Sequence, residues 1–159
     1  MSDRGLDTQF ADAEESPGLL LWQVTNRWQA AQRAALKPYG LTHVQFVLLA
    51  TLTFLGADGP VMQRDVAEHA ATDPMMTSQV LRALEGRGLV VRRPHPVDRR
   101  ARALEVTEEG RALANRAIVA VEGCDAAFFG ALGDRVSGFT RALQVLKAGA
   151  AARGDADKA

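Results

Sequence analysis

Cysteine is almost missing from this 159-residue chain. Cys124 stands alone, so there is no intramolecular disulfide and no cysteine-based zinc site. Histidine is scarce too. His43, His69 and His95 lie far apart with no Asp or Glu at metal-ligand spacing, so no metal site is expected. No run of about 18 apolar residues occurs, and nothing reads as membrane-spanning. The N-terminal stretch "MSDRGLDTQFADAEESPG" is polar and acidic. It has no apolar core of a secretory signal, and residues 1–16 read as a disordered lead-in. No nucleophile–base pair, phosphate loop or metal cluster is present. An enzyme reading would rest on Asp73 or His43 as an isolated acid or base, so the chain is not expected to be an enzyme or to need a cofactor. Net charge is also missing, with 19 basic side chains against 19 acidic ones. Any argument for a nucleic-acid partner must therefore rest on local charge.

What is present is ordinary in amount. Apolar residues make up 47% and charged ones 24%, which suits one globular domain with a real core. Pro17 opens a helical pattern that Pro38 and Gly40 close, with Leu20, Val24, Trp28, Ala31 and Ala35 on one face. Thr42 can cap a second helix, "HVQFVLLATLTFLG", which is apolar almost all round and reads as buried. A short amphipathic helix follows Pro60. Asp73 as N-cap and Pro74 at the first helical position start a fourth, which stops at Gly86 and Gly88. The period then changes from about 3.6 to 2. "LVVRR" and "ARALEVT" read as strands of a hairpin whose tip is "PHPVDRRA". Thr107 caps a long helix with an apolar seam through Leu113, Ala117, Val121, Cys124, Phe128 and Leu132. "LGD" interrupts it, and a last helix carries Val136, Phe139, Leu143 and Leu146 before a fraying tail. The expected class is mainly α with a small β-hairpin: a winged helix-turn-helix lobe plus helices for dimerisation.

Between residues 82 and 102 the charge is far from neutral. Seven arginines (82, 87, 92, 93, 99, 100, 102) face two carboxylates (Glu85, Asp98), a local charge of +5, and none of the seven is lysine. Arginine's planar fork suits bidentate phosphate contacts and narrow minor grooves. A solvated charged hairpin is the simpler account of such a run. The preceding helix argues for more. At about 100° per residue, Met76, Thr77, Val80, Leu81 and Leu84 fall on a core face, while Met75, Ser78, Gln79, Arg82 and Gly86 fall opposite. That outer face offers a hydroxyl, an amide and a guanidinium near the helix N-terminus, the end that enters a major groove.

These residues resemble the MarR family of bacterial transcription regulators over roughly residues 18–150. The resemblance is carried by "MMTSQVLRALEGRGLVVRRPHPVDRRARALEVTEEGRAL", with Leu84, Glu85 and Gly88 to Val90 at the end of the recognition helix. Asp98 and Arg100 match the wing's Asp-x-Arg, Val106 and Thr107 match the start of the next helix, and "YGLTHVQFVLL" matches the entry to the second helix. The resemblance implies a single domain over residues 17–150, a winged helix at about 42–107 and dimerisation helices at about 17–38 and 107–150, with a frayed tail at 151–159. It implies that Arg100 probes the minor groove and that Asp98 orients an arginine there. The expected DNA-contacting set is Met75, Ser78, Gln79, Arg82, Arg92, Arg93, His95, Asp98, Arg99, Arg100 and Arg102. The expected dimer interface is Phe128, Leu132, Phe139, Leu143 and Leu146, on seams too long for one small wing domain to cover.

The function so implied is a dimeric, sequence-specific repressor acting in the cytoplasm on the nucleoid, binding a pseudo-palindromic operator in double-stranded DNA. An alternative is a winged-helix protein-interaction module without sequence-specific DNA binding. The one-signed wing argues against that alternative. Cys124 lies on an apolar seam, where an inert thiol is a simpler reading than a redox sensor. Peroxide-sensing relatives carry their cysteine in the first long helix, where this chain has none. Trp22 and Trp28 pack in a core or dimer by default. The sharper reading puts Trp22, Trp28, His43 and Phe46 around a pocket for a small aromatic or phenolic effector that releases DNA, with Arg27 and His43 as polar contacts.

Overall fold

A computed structural model describes residues 5–156 of the chain. They divide into two compact units, one ending at Glu122 and the other beginning at Gly123. The element order is α1 (Pro17–Leu36), α2 (His43–Leu55), α3 (Gln63–Ala70), α4 (Pro74–Gly86), β1 (Val90–Pro94), β2 (Arg102–Val106), α5 (Glu108–Phe129) and α6 (Val136–Ala156). The chain is mainly helical with one antiparallel hairpin, as its periodicities require.

The signals that start and stop these helices act as capping chemistry dictates. The Ser16 hydroxyl accepts from Leu19 N–H and Pro17 follows at the first helical position. Thr42 and Gln45 form a reciprocal capping box at α2. Asp73 Oδ1 accepts from the N–H groups of Met75 and Met76, satisfying two of α4's orphan donors. At the other end of α4, Gly88 takes φ +71°, and Leu89 N–H reaches back to Leu84 O at 3.0 Å. That six-to-one bond needs a left-handed residue, which is why the helix ends at a glycine. The lead-in is not without structure: Ala13–Glu15 form a 3-10 turn capped by Asp12.

Within the first unit, Leu36, Leu48, Leu49, Leu52, Val66, Leu81, Leu84 and Val90 are almost fully buried. α2 contributes most and is the central helix. The hairpin closes this core with Val90 opposite Val106 and Arg92 opposite Leu104. A third chain segment joins it, since Leu104 N–H donates to Val61 O at 2.8 Å and makes an isolated bridge just before α3. The wing is thereby tied to the helix-turn-helix. α5 enters this unit through a close approach: a Cβ on Gly110 would lie 2.1 Å from Leu89 O and 2.9 Å from Val106 Cγ1. Thr107 reinforces the same junction by donating to Gly88 O and accepting from Gly110 N–H.

The second unit holds the end of α5, a turn over Gly130–Arg135 broken at Gly133 (φ +56°), and α6. The interruption falls where "LGD" predicts it. α6 then continues through the alanine-rich "AGAAARGDA" to Ala156, because alanine keeps helix propensity high where no apolar seam remains. Residues 157–159 of the expected frayed tail lie outside the described residues. Phe128 meets Phe129 edge to face and Phe129 meets Phe139 at a tilt, with ring centroids 5.3 and 5.8 Å apart. No described residue between 123 and 154 is buried, and Leu143, Val145 and Leu146 are largely exposed.

Candidate nucleic-acid interface

The first turn of α4 is bonded to the turn that precedes it. Thr77 is fully buried, donates to Asp73 O at 2.8 Å and shares a hydrogen bond with the Thr72 hydroxyl at 2.7 Å. Ala71 supplies the tight turn before it in a left-handed conformation, φ +52°. With Thr77, Leu81 and Leu84 inward, Met75, Gln79 and Arg82 are exposed and Ser78 is half-buried. This is the outer face that the helical wheel predicts. Met76 departs from it. Expected on the core face, it is 40% exposed and borders a cleft.

The seven arginines separate into two groups. Arg87 Nη1 donates to Gly40 O at 2.8 Å, fastening the end of α4 to the turn after α1. Arg92 Nε bonds Glu85 Oε2 at 2.9 Å and its Nη2 bonds Gln63 Oε1 at 3.1 Å, so it joins β1, α4 and α3. This guanidinium is half-buried because Arg92 pairs with Leu104 on the inner side of the hairpin. Arg93 pairs with Glu105 at 3.0 Å across the strands. Arg92 and Arg93, expected among the DNA contacts, each have a carboxylate partner in the chain, Arg92 half-buried and Arg93 largely exposed. Arg82, Arg99, Arg100 and Arg102 are exposed and make no ion pair among the described residues.

Asp98 and His95 shape the tip. Asp98 Oδ1 accepts from Arg100 N–H at 3.0 Å, so it fixes Arg100 through the backbone rather than through an ion pair. His95 Nδ1 accepts from Val97 N–H at 3.2 Å and Asp98 N–H at 3.0 Å. The expected phosphate contact thus has one ring nitrogen already committed.

The expected effector residues are only partly brought together. Trp28 and His43 meet edge to face, centroids 5.0 Å apart. They line an open cleft of about 560 Å3 with Gln29, Arg33, Val47 and Met76. Phe46 is buried in the core and Trp22 is 69% exposed, so neither lines it. Phe46 follows the buried stripe of α2, and Trp22 sits more than a turn away from Trp28 along α1. Arg33, not Arg27, supplies the cleft's guanidinium, a choice that no single-helix pattern contains because α2 determines which side of α1 faces it. A second cleft, about 380 Å3, opens behind the hairpin by Leu52, Pro60 and Leu104. Its Arg93 and Glu105 are paired with each other, and Arg111 also lines it. In the second unit, burial and then the Asp125 carboxylate push the Cys124 thiol above its ordinary pKa, the opposite of what a reactive thiolate needs. Among the described residues there is no cluster of three potential metal ligands, and no single helix is long and apolar enough to cross a membrane.

Comparison with known proteins agrees with this geometry. The MarR family model matches residues 41–101. An uncharacterized HTH-type transcriptional regulator of Bacillus subtilis, YdcH, is 42% identical over 78% of this chain and 85% of its own length. The structure of CouR from Rhodococcus jostii bound to p-coumaroyl-CoA is similar, with a TM-score of 0.75, 31% identity and coverage of 85% of this chain and 93% of CouR. The Mycobacterium tuberculosis MarR family protein Rv2887 in complex with DNA has a TM-score of 0.65 and 33% identity over 82% of this chain and 97% of that one. The same protein has been solved with salicylic acid.

Proposed function

The chain belongs to the MarR family of DNA-binding transcription regulators, and from that premise we propose that it is a homodimeric repressor reading a pseudo-palindromic operator. α4 enters the major groove, where Met75, Ser78, Gln79 and Arg82 meet base edges. The hairpin tip follows the adjacent backbone and minor groove with Arg99, Arg100 and Arg102. The observation that carries this reading is the division of the arginines: those lacking an internal partner are the ones at the tip and on the outer face of α4. The proposed place of action is the cytoplasm, on the nucleoid. Two-fold symmetry requires half-sites about one helical turn apart.

Selection from a random-sequence duplex pool, followed by gel shifts at two salt concentrations, tests the reading. The selected site should have dyad symmetry. The logarithm of affinity should fall with the logarithm of salt by about 0.9 per neutralised phosphate, and each of Arg99→Ala and Arg102→Ala should reduce that slope by about one. A shallow slope with no sequence preference would favour a protein-interaction module instead.

The Trp28–His43 cleft supports regulation by a small aromatic anion, with the rings stacking on the ligand and Arg33 meeting its carboxylate or phenolate. Rv2887 has been solved with salicylic acid, a small aromatic anion, and CouR with p-coumaroyl-CoA, a larger thioester that carries a phenol. A ligand preferring the DNA-incompetent form by about 100-fold supplies roughly 2.7 kcal/mol of coupling. Salicylate and hydroxycinnamates are the probes for a thermal-shift screen. A hit should raise the melting temperature and loosen the DNA complex, and Trp28→Ala or Arg33→Ala should remove both effects. Hits that leave the DNA complex intact would make the regulator effector-independent.

A further inference from the structure

The hairpin tip has no core beneath it, yet its backbone is closely bonded. His95 N–H donates to Ala101 O and Ala101 N–H donates to Asp98 O, both at 3.1 Å. The N–H groups of Val97 and Asp98 go to His95 Nδ1, and that of Arg100 goes to Asp98 Oδ1. Side chains supply three of these five acceptor contacts, and the histidine ring supplies two of the three. Both of its partners are N–H donors, so Nδ1 holds the lone pair and the ring hydrogen sits on Nε2. His95 acts here as a capping side chain, in the way that Asp or Asn organises a turn. Its own backbone is restrained by Pro96, which removes the α conformation. Its N–H anchors the loop's first residue to its last.

We propose that His95 is a positioning residue for DNA binding: through Nδ1 it pins the loop that carries Arg99 and Arg100, and it does not act as a cation toward phosphate. This inference rests on the reading that the wing contacts DNA. Without the ring, Val97 and Asp98 lose their acceptor, and the loop keeps only the Asp98 side-chain cap and the two backbone bonds. Arg99 and Arg100 would then be presented by a mobile segment, and each binding event would have to order it again.

Asparagine places an amide oxygen close to the Nδ1 position, whereas glutamine places its oxygen nearer to Nε2. The experiment therefore compares His95→Asn, His95→Gln and His95→Ala in the full-length protein, together with Arg100→Ala. Amide exchange at Val97 and Asp98 is read by NMR in the free protein. Affinity is read with the duplex that the wild-type protein selects from a random pool. His95→Ala and His95→Gln should lose protection at both amides and bind DNA about tenfold more weakly, the loss expected for a missing cap. His95→Asn should keep protection and bind within about twofold of wild type. Unchanged protection in His95→Ala overturns the capping role. Affinity retained by His95→Gln and lost by His95→Asn overturns it in favour of a direct contact through Nε2. If protection is lost while affinity holds, the Arg100→Ala result separates the two claims. A weakened Arg100→Ala means that the positioning role alone has failed, and an unchanged one means that the wing reading itself has failed.

Discussion

The two units of the chain bury their apolar residues to very different degrees. In the first, Leu48, Leu49, Leu81 and Leu84 are sealed from solvent around one central helix. In the second, Leu143, Val145 and Leu146 are 41, 72 and 60% exposed, and no described residue from 123 to 154 is buried. α6 still places Val136, Phe139, Leu143 and Leu146 at heptad-like spacing, so the second unit does not lack an apolar seam. A helix gains most of its stability from packing an apolar face, and contiguous exposed apolar faces mark association surfaces. The first unit carries its own core, whereas the second needs a surface to lie against, and a second copy of the chain supplies one in the proposed dimer.

The largest expected effect comes from breaking association. Phe139→Asp or Leu143→Asp places an unpaired charge on the seam, with a cost of about 3–5 kcal/mol if the seam is buried between protomers. Sedimentation should then show monomer or aggregate, while a well-folded dimer in both variants would mean that the seam is not the interface. Next is a lesion in the first unit. Gly110→Ala drives a methyl into Leu89 O and should destabilise folding by about 1–3 kcal/mol, read from the denaturation midpoint at unchanged slope. A variant as stable as wild type would show that α5 can move away from the hairpin without loss.

A third substitution should leave both units intact. Arg100→Ala should lower affinity for a selected operator by about 1–3 kcal/mol with no change in melting temperature. Arg93→Ala sharpens the contrast. Its partner Glu105 is 60% exposed, so solvent screens the pair and stability should change by less than about 0.5 kcal/mol. The smallest effect concerns Cys124. With its pKa raised by burial and by Asp125, less of it is thiolate near neutral pH, so alkylation should run slower than in the unfolded chain and speed up as pH rises. Equal rates in folded and unfolded protein would contradict the raised pKa.

The fold was largely legible because its punctuation is local. Asp73–Pro74, Thr42 with Gln45, Gly88 and the change of period after it each act over three or four residues. The outer face of α4 was legible because one helix period decides it, and Gln79 and Arg82 are exposed as that period requires. The candidate site was hidden wherever two elements decide it together. Nothing within "LVVRR" says that Arg92 will turn inward to Glu85 and Gln63, since that follows from its pairing opposite Leu104. Val61's bridge to the hairpin and Gly110's contact with Leu89 are likewise long-range. His95 carried a signal in the spacing to Asp98, because a short acceptor side chain two or three residues before free N–H groups is the pattern of a capped turn. Histidine is seldom read that way.

The Arg87–Gly40 bond makes α4 a lever. Its C-terminal end is fastened to the turn that follows α1, while its N-terminal end meets α1 only across the Trp28–His43 cleft. Thirteen residues at about 1.5 Å each give an arm of about 20 Å. A turn of only about 3° around the fastened end therefore moves Met75 and Asp73 by about 1 Å, while Arg82 near the fulcrum moves much less. Met75, at the moving end, is one of the residues proposed to read bases, and the cleft lies beside that end. A small wedge in it would have its largest effect where a displacement is least tolerated.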